Sequence, residues 1–245
     1  MEANRIYNMD CLQGMREMEP DSIDAIITDP PYNTGMSGMV EEESVHTTTR
    51  LKYFFNDSYG KDEYLALAED TCKELYRLLK PDHGGVIFIN YKSLGIWLNA
   101  LERAGFSPKN AIVWDKVMHG LNYRNYAYTY ELIIFFVKGN FWPNNKTPND
   151  MRHKYYTDIW RIKRDISILE GKHHETIKPQ TVLDICIRHI TKAGDLVIDP
   201  FAGSGSVPVA LLENGRRYIG FEKEPEYYKT AEERIRSYHK QSKLS

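Results

Sequence analysis

The stretch "GDLVIDPFAGSGSVPVALLENGRRYIGFEKEPEYY", near the end of the chain, limits the fold more than any other. A short apolar run, residues 196–199, leads into Gly203-Ser204-Gly205. A helical pattern over 206–213 follows, then a second apolar run, 218–221, and an acid, Glu222, placed 17 residues after Gly205. Glycines let a strand turn sharply into a helix, and an acid just past the next strand is placed for ribose hydroxyls. This is the outline of a nucleotide-binding β-α-β unit. The dinucleotide form of the pattern wants a third glycine where Pro208 stands, so close approach to a pyrophosphate is poorly served. The bland alternative is a plain strand–turn–helix corner with Glu222 as a solvated acid.

The same alternation runs through the chain. Apolar runs at 5–9, 23–28, 85–90, 110–115, 131–137, 196–199 and 218–221 read as strands. Periodic stretches at 61–79, 93–104, 179–191, 206–213 and 225–240 read as helices. The expectation is an α/β fold with a mostly parallel, seven-stranded sheet and helices on both faces. The long apolar run within 127–138 is expected to lie antiparallel. A chain of 245 residues suits a single domain, 1–245, with a sizeable core. Segments 35–60 and 139–173 show no clear period, and loops that long in a compact domain are usually functional or mobile.

A net charge of −2 argues against binding any polyanion or membrane by bulk charge, so a basic surface must be local. Between 138 and 164 there are seven Lys or Arg against two Asp, about +5, with Tyr155, Tyr156 and Trp160 interleaved. That segment reads either as a phosphate-gripping element or as a solvated loop. Cys11, Cys72 and Cys186 lie far apart without a CxxC pair. A reducing compartment fits, and neither a disulfide framework nor a zinc cluster is expected. His173 and His174 lack a ligand-spaced partner, so no metal is expected. The opening "MEANRIYNMD" has no apolar core of a signal peptide, and no run approaches the ~18 apolar residues of a membrane span. A cytoplasmic location without membrane contact is the expectation.

One more stretch, "TDPPYNTG", follows directly on the strand at 23–28. Two prolines there remove two backbone donors and stiffen the chain around Asp29 and Tyr32. In an open parallel sheet, loops after the strands lie on one edge, where ligands bind. The Asp29 loop and the Gly203 loop are therefore expected to face each other across one crevice. A carboxylate and the Pro30 carbonyl can accept both N–H bonds of an exocyclic amine and localise its lone pair for attack on a methyl group. The Tyr32 ring offers a stacking face to a base taken out of a duplex.

Taken together, "DPPY" followed later by "DPFAGSG" resembles the β-class DNA amino-methyltransferases, which use S-adenosylmethionine and methylate adenine N(6) or cytosine N(4). "NMDCLQGM" and "HETIKP" are similar to further segments of that family and stand in its order. The resemblance implies a Rossmann-like methyltransferase fold. It implies Asp29, Pro30, Pro31 and Tyr32 as catalytic residues. It implies S-adenosylmethionine held by Asp10, the Cys11 backbone, Asp29, Thr176, Lys178, Phe201, Gly203, Ser204, Gly205 and Glu222, with no metal. Double-stranded DNA is the implied partner; a homodimer and a separately encoded cognate restriction nuclease are left open. Segment 139–172 is the expected short target-recognition insert, and 35–60 a mobile DNA-facing loop. Aspartate at position 29 favours adenine, where serine would have favoured cytosine. The competing readings are a cytosine N(4) enzyme, an RNA or protein-glutamine methyltransferase, and a catalytically idle subunit that binds cofactor and DNA. Enzymes of the third kind usually carry the glycine loop first, and the intact tetrapeptide speaks against the last.

Overall fold

A computed structural model of the chain describes residues 1–34, 36–42, 51–117, 126–144, 155–163 and 178–242. The strands are β1 (Arg5–Tyr7), β2 (Ile23–Thr28), β3 (Met36–Glu42), β4 (Leu51–Asp57), β5 (Leu79–Ile89), β6 (Ser107–Asp115), β7 (Tyr130–Lys138), β8 (Ile159–Arg161), β9 (Leu196–Asp199) and β10 (Arg217–Phe221). The helices are α1 (Cys11–Arg16), α2 (Lys61–Leu78), α3 (Leu94–Ala104), α4 (Gln180–Ile190), α5 (Ser206–Glu213) and α6 (Pro225–Gln241).

The central strands are apolar on both faces because both faces are covered. In β2, Ala25 and Ile27 join one core and Ile26 the other, all fully buried. In β5, Val86 and Phe88 alternate in the same way with Ile87 and Ile89. Helices α1, α2 and α3 cover one face through Met15, Cys72, Leu75, Trp97 and Leu101. Helices α4, α5 and α6 cover the other through Leu183, Ile187, Leu211 and Ala231. Full burial of each large side chain here contributes roughly 1.5–3 kcal/mol.

The strands of the main sheet run in the order β1-β10-β9-β2-β5-β7-β6-β8. All neighbours pair parallel except β7, which is antiparallel to β5 and β6 as expected. Among the described residues the sheet has eight strands rather than seven. The eighth, β8, comes from inside segment 139–172 and pairs parallel with β6. Three residues are too few to show a period, which is why the sequence conceals it. Segment 35–60 also departs from the expected loop. Its β3 and β4 pair antiparallel, Met36 opposite Asp57, in a two-stranded sheet of their own. Neither "MSGMVEE" nor "LKYFFND" alternates cleanly, so backbone pairing makes a hairpin that side-chain pattern does not announce.

Strand β9 winds outward through α5 to β10, and β2 winds the opposite way through α2 to β5. The two strands are neighbours, with Ala25 opposite Val197 and Ile26 opposite Ile198. Their carboxyl ends thus open a crevice at the point where the winding reverses. No described helix is long and apolar enough to cross a membrane.

Candidate active site

On one side of the crevice stand the ends of β9, β10 and β1. Asp199 closes β9 at 1% exposure. Its Oδ1 accepts from Thr28 Oγ1 of β2 at 2.8 Å and from the Phe201 N–H at 3.2 Å. Burial pushes its carboxyl up to about 7 against the pull of those bonds. Gly203 and Gly205 both have positive φ, 52° and 81°. At Gly205 a Cβ would come within 2.9 Å of the Ala231 Cβ on α6, so packing as well as φ requires glycine. At Gly203 a Cβ would meet nothing nearer than the Phe201 carbonyl at 4.0 Å, so that turn faces open space. The Gly203 N–H donates to Glu222 Oε2 at 2.9 Å, and the Glu224 N–H to Glu222 Oε1 at 2.8 Å. Burial pushes the Glu222 carboxyl up, and these two N–H groups oppose it. The Glu222 N–H in turn donates to the Tyr7 carbonyl of β1 at 3.0 Å.

Asp10 lies past the end of β1, exposed, and caps α1 by accepting from the Leu12 and Gln13 N–H groups at 2.9 and 3.1 Å. The Cys11 side chain is buried in the core as a small apolar filler, and burial pushes its thiol up to about 12. Phe201 is half-buried against the same core, and Ser204 is buried. The structure therefore gathers Asp10, Phe201, Gly203, Ser204, Gly205 and Glu222 along one edge. Thr176 lies outside the described residues, as do His173 and His174.

On the other side the Asp29 tetrapeptide is held by side chains. Tyr64 Oη donates to the Pro31 carbonyl at 2.7 Å and accepts from Trp97 Nε1 at 3.0 Å. Asn90 Nδ2 and Ser93 Oγ donate to the Tyr32 carbonyl at 3.2 and 3.1 Å. No described residue donates to the Pro30 carbonyl. Lys178, only 5% exposed, sets its Nζ 2.5 Å from Asp29 Oδ2 and 3.3 Å from Glu131 Oε2. It also donates to Tyr32 Oη at 3.2 Å and lies 5.3 Å from the Tyr32 and Phe88 ring centres. Tyr32 gives its own proton to Glu131 Oε2 at 3.2 Å, and Glu131 Oε1 accepts from Lys116 Nζ at 2.9 Å.

Burial alone would push the Lys178 ammonium down, but Asp29 and Glu131 reverse that and hold it above its ordinary value. Burial opposes charge on Glu131 as well, yet Lys178 and Lys116 draw it down to about 2. Burial pushes Asp29 up, with Lys178 pulling against it. Burial, then the two carboxylates, keep the Tyr32 phenol protonated far above its usual range. Asp29 Oδ1 is shielded from water and accepts no hydrogen bond among the described residues. The two acceptors singled out from sequence, Asp29 and the Pro30 carbonyl, thus keep unclaimed lone pairs while the next two carbonyls are tied.

Lys178, expected among the cofactor residues, stands against Asp29, which was expected in that set as well as in the catalytic one. Sequence reasoning missed Glu131 altogether. The available signal was a lone acid opening the apolar run "ELIIFFV", in a strand buried on both faces.

A DNA methylase family model for N6 and N4 methyltransferases matches residues 23–233. The chain belongs to this N6/N4 DNA methylase family. The type II methyltransferase M2.DpnII of Streptococcus pneumoniae is 30% identical over 250 residues, spanning 94% of this chain and 88% of that one. The solved complex of M1.HpyAVI with SAM aligns at TM-score 0.71 and 26% identity, covering 94% of this chain and 98% of that one. The cytosine-N4-specific PvuII DNA methyltransferase shares the fold at TM-score 0.72 and 18% identity, over 94% of this chain and 86% of its own.

Around this methylase crevice the basic segment is less uniform than its composition suggested. Lys138 is structural: it donates to Asp21 Oδ1 and to the Tyr76 and Leu79 carbonyls at 2.8, 2.9 and 2.5 Å. It lies at the end of β7 away from the crevice. Trp160 is buried, with Nε1 donating to the Thr157 carbonyl at 2.7 Å, and Tyr155 is exposed. Arg161, 80% exposed beside Asp115, and exposed Lys163 are the cations of this segment left facing solvent among the described residues. Lys146, Arg152, Lys154 and Arg164 lie outside them. The tyrosine-rich run before β7 shows exposed Tyr126, Tyr128 and Tyr130, with Tyr128 stacked on Tyr91 at 5.8 Å.

Proposed function

We propose that the chain is a site-specific enzyme that moves a methyl group from S-adenosylmethionine to the exocyclic N(6) amine of an adenine flipped out of double-stranded DNA. The observation that carries this reading is Asp29 Oδ1, buried and without a hydrogen-bond partner among the described residues, beside a Pro30 carbonyl to which no described residue donates. An unmet buried acceptor costs on the order of 1–3 kcal/mol, and an amine supplies two N–H groups to two such acceptors.

The residues fit the cofactor. The turn at Gly203 faces open space, and the Glu222 carboxylate beside it is anchored by two backbone N–H groups that leave further lone pairs for ribose hydroxyls. Asp10, Asp199 and Glu222 along this edge suit a ligand with a cationic sulfur. Phe201 and Ser204 would pack beside it, and Thr176 would complete the set. When bound, S-adenosylmethionine supplies an electrophilic methyl group.

The chain's own residues do the rest. Asp29 Oδ1 and the Pro30 carbonyl accept hydrogen bonds from the two amine N–H groups and turn the nitrogen lone pair toward the methyl group, and the one proton that the methylated nitrogen sheds passes to Asp29, whose carboxyl burial pushes up. Lys178 holds the other Asp29 oxygen, so the carboxylate cannot swing. Pro31 and the tied Pro31 and Tyr32 carbonyls keep the loop rigid. The Tyr32 ring, fixed through its hydroxyl, stacks on the base. Segments 35–60 and 139–172 serve as DNA-facing elements of the single domain, with exposed Arg161 and Lys163 contacting phosphate or bases.

Aspartate rather than serine at position 29 favours adenine; cytosine N(4) is the competing product, since an enzyme of that specificity shares the fold. Mass analysis of nucleosides after incubating the protein with mixed-sequence duplex DNA and S-adenosylmethionine decides between them. N(6)-methyldeoxyadenosine is the expected product. N(4)-methyldeoxycytidine would replace the reading, and no methylated nucleoside would overturn it.

A further inference from the structure

Glu131 stands at the start of β7, opposite the end of β5, with Leu132 paired to Ile89. It is enclosed by two cations and a phenol. Its Oε1 takes Lys116, and its Oε2 takes both Tyr32 Oη and Lys178. We infer that Glu131 is a positioning residue for methyl transfer, holding Lys178 and Tyr32 in the arrangement that leaves Asp29 Oδ1 free for the amine. This rests on the reading of Asp29 as the amine's acceptor.

Lys178 is shared between two anions. An ammonium has three N–H groups. Lys178 donates to Asp29 Oδ2 at 2.5 Å and to Tyr32 Oη at 3.2 Å, and its charge is paired with Glu131 Oε2 at 3.3 Å. Asp29 therefore receives one N–H on one oxygen. With the Glu131 charge gone, Lys178 loses the anion that draws it away from Asp29, so the ammonium turns to span both Asp29 oxygens. The acceptor meant for the amine is then occupied. Tyr32 suffers too, because its hydroxyl gives its proton to Glu131 and takes one from Lys178. Two contacts fix the plane of the ring that would stack on the base.

Charge points the same way. The groups that face Lys178 and Glu131 are Asp29 and Tyr32 from the loop after β2, Lys116 after β6, and Asp199 from β9, which acts on Asp29. Two acids and two lysines make the innermost cluster neutral. Without the Glu131 charge, desolvation of Lys178 is opposed by Asp29 alone, and the ammonium deprotonates at lower pH.

The test compares Glu131→Gln and Glu131→Asp with wild type in steady-state methylation of duplex DNA between about pH 7 and 10. Glu131→Gln keeps the shape and removes the charge. It should lower kcat about 10- to 100-fold, less than loss of a direct partner of the reacting group, with KM for DNA and affinity for S-adenosylmethionine unchanged. It should also introduce an alkaline fall in kcat that wild type lacks. Glu131→Asp restores the charge and should show the flat wild-type profile with a smaller loss in kcat. Wild-type kcat and a flat profile in Glu131→Gln would overturn the inference. If the Gln variant does not fold, Glu131→Asp decides alone: reduced kcat at unchanged KM supports it, and unchanged kcat overturns it. Failure of the Asp29 reading is distinguishable, because Asp29→Ala would then remain active whatever Glu131 does.

Discussion

The two sides of the crevice are built from different material. On the glycine-loop side, backbone groups do most of the holding: the Gly203 and Glu224 N–H groups grip Glu222, and the Glu222 N–H grips Tyr7. On the Asp29 side the grip comes from five side chains on four other segments, Tyr64, Asn90, Ser93, Glu131 and Lys178. A loop formed by backbone turns is a local object, written in consecutive residues. A loop held by distant side chains depends on the sheet order that brings them together. The difference suits the tasks assigned to the two sides. Binding a ribose tolerates some give, whereas presenting two acceptors to a reacting amine requires fixed geometry.

If the sides are separable in this way, damage to one should spare the other. Lys178→Met carries the largest expected effect. It leaves Asp29 and Glu131 as facing buried carboxylates, and breaking such a pair costs about 3–5 kcal/mol of stability. Thermal unfolding should show the fall, and transfer should be lost in whatever protein remains folded at low temperature. If Lys178→Met unfolded at the wild-type temperature, the buried pair would have been misread.

Tyr32 comes next. Tyr32→Ala removes the stacking face, worth roughly 1–3 kcal/mol per base, and the hydroxyl contacts as well. Tyr32→Phe keeps the ring and loses hydrogen bonds worth about 0.5–1.5 kcal/mol. Sequence alone assigns no role to the hydroxyl; the structure predicts a measurable drop in kcat for Phe, smaller than for Ala. Equal losses in the two variants would mean that stacking is not what Tyr32 supplies.

Glu222→Ala should act on the opposite side of the comparison. It removes bonds to a charged group, on the order of 1–3 kcal/mol, or roughly 5- to 150-fold in the Kd for S-adenosylmethionine. Calorimetry should find that loss while kcat at saturating cofactor changes far less. A fall in kcat matching the fall in affinity would dissolve the distinction between the sides.

Asp199 joins the two sides through Thr28. Its folded pKa, about 7, lies above the ordinary 3.8. The protonated acid is therefore favoured in the fold, and its contribution to stability is present below about pH 4 and lost as pH rises through about 7. Asp199→Asn accepts the same hydrogen bond without ionising. Its melting temperature relative to wild type should climb between those pH values, and parallel curves would show that Asp199 titrates normally.

How far each feature was legible follows from the same contrast. Strand–loop–helix order around Gly203 and the acid after β10 could be read because all the relevant residues are neighbours in sequence. The antiparallel β7 showed itself as a long apolar run following a loop. The position of Lys178 in the chain was legible but its partner was not, since Asp29 lies 149 residues away. Glu131 was hidden for the same reason, its role arising only where β7 lies beside β5. The strand β8 and the helix α1, of three and six residues, are shorter than any period that could reveal them. Lys138 looked like part of a basic surface because charge counts ignore direction; its ammonium points into the protein at Asp21.

Everything on the Asp29 side turns on the proposed role of Asp29 as acceptor for the amine. Single-turnover methyl transfer by Asp29→Ala, with S-adenosylmethionine affinity measured on the same preparation, tests it most directly. The account predicts transfer slowed at least 100- to 1000-fold, the usual cost of losing a preorganised electrostatic partner, with cofactor affinity close to wild type. Transfer at a near-wild-type rate, or a cofactor affinity that falls as far as the rate, would contradict it.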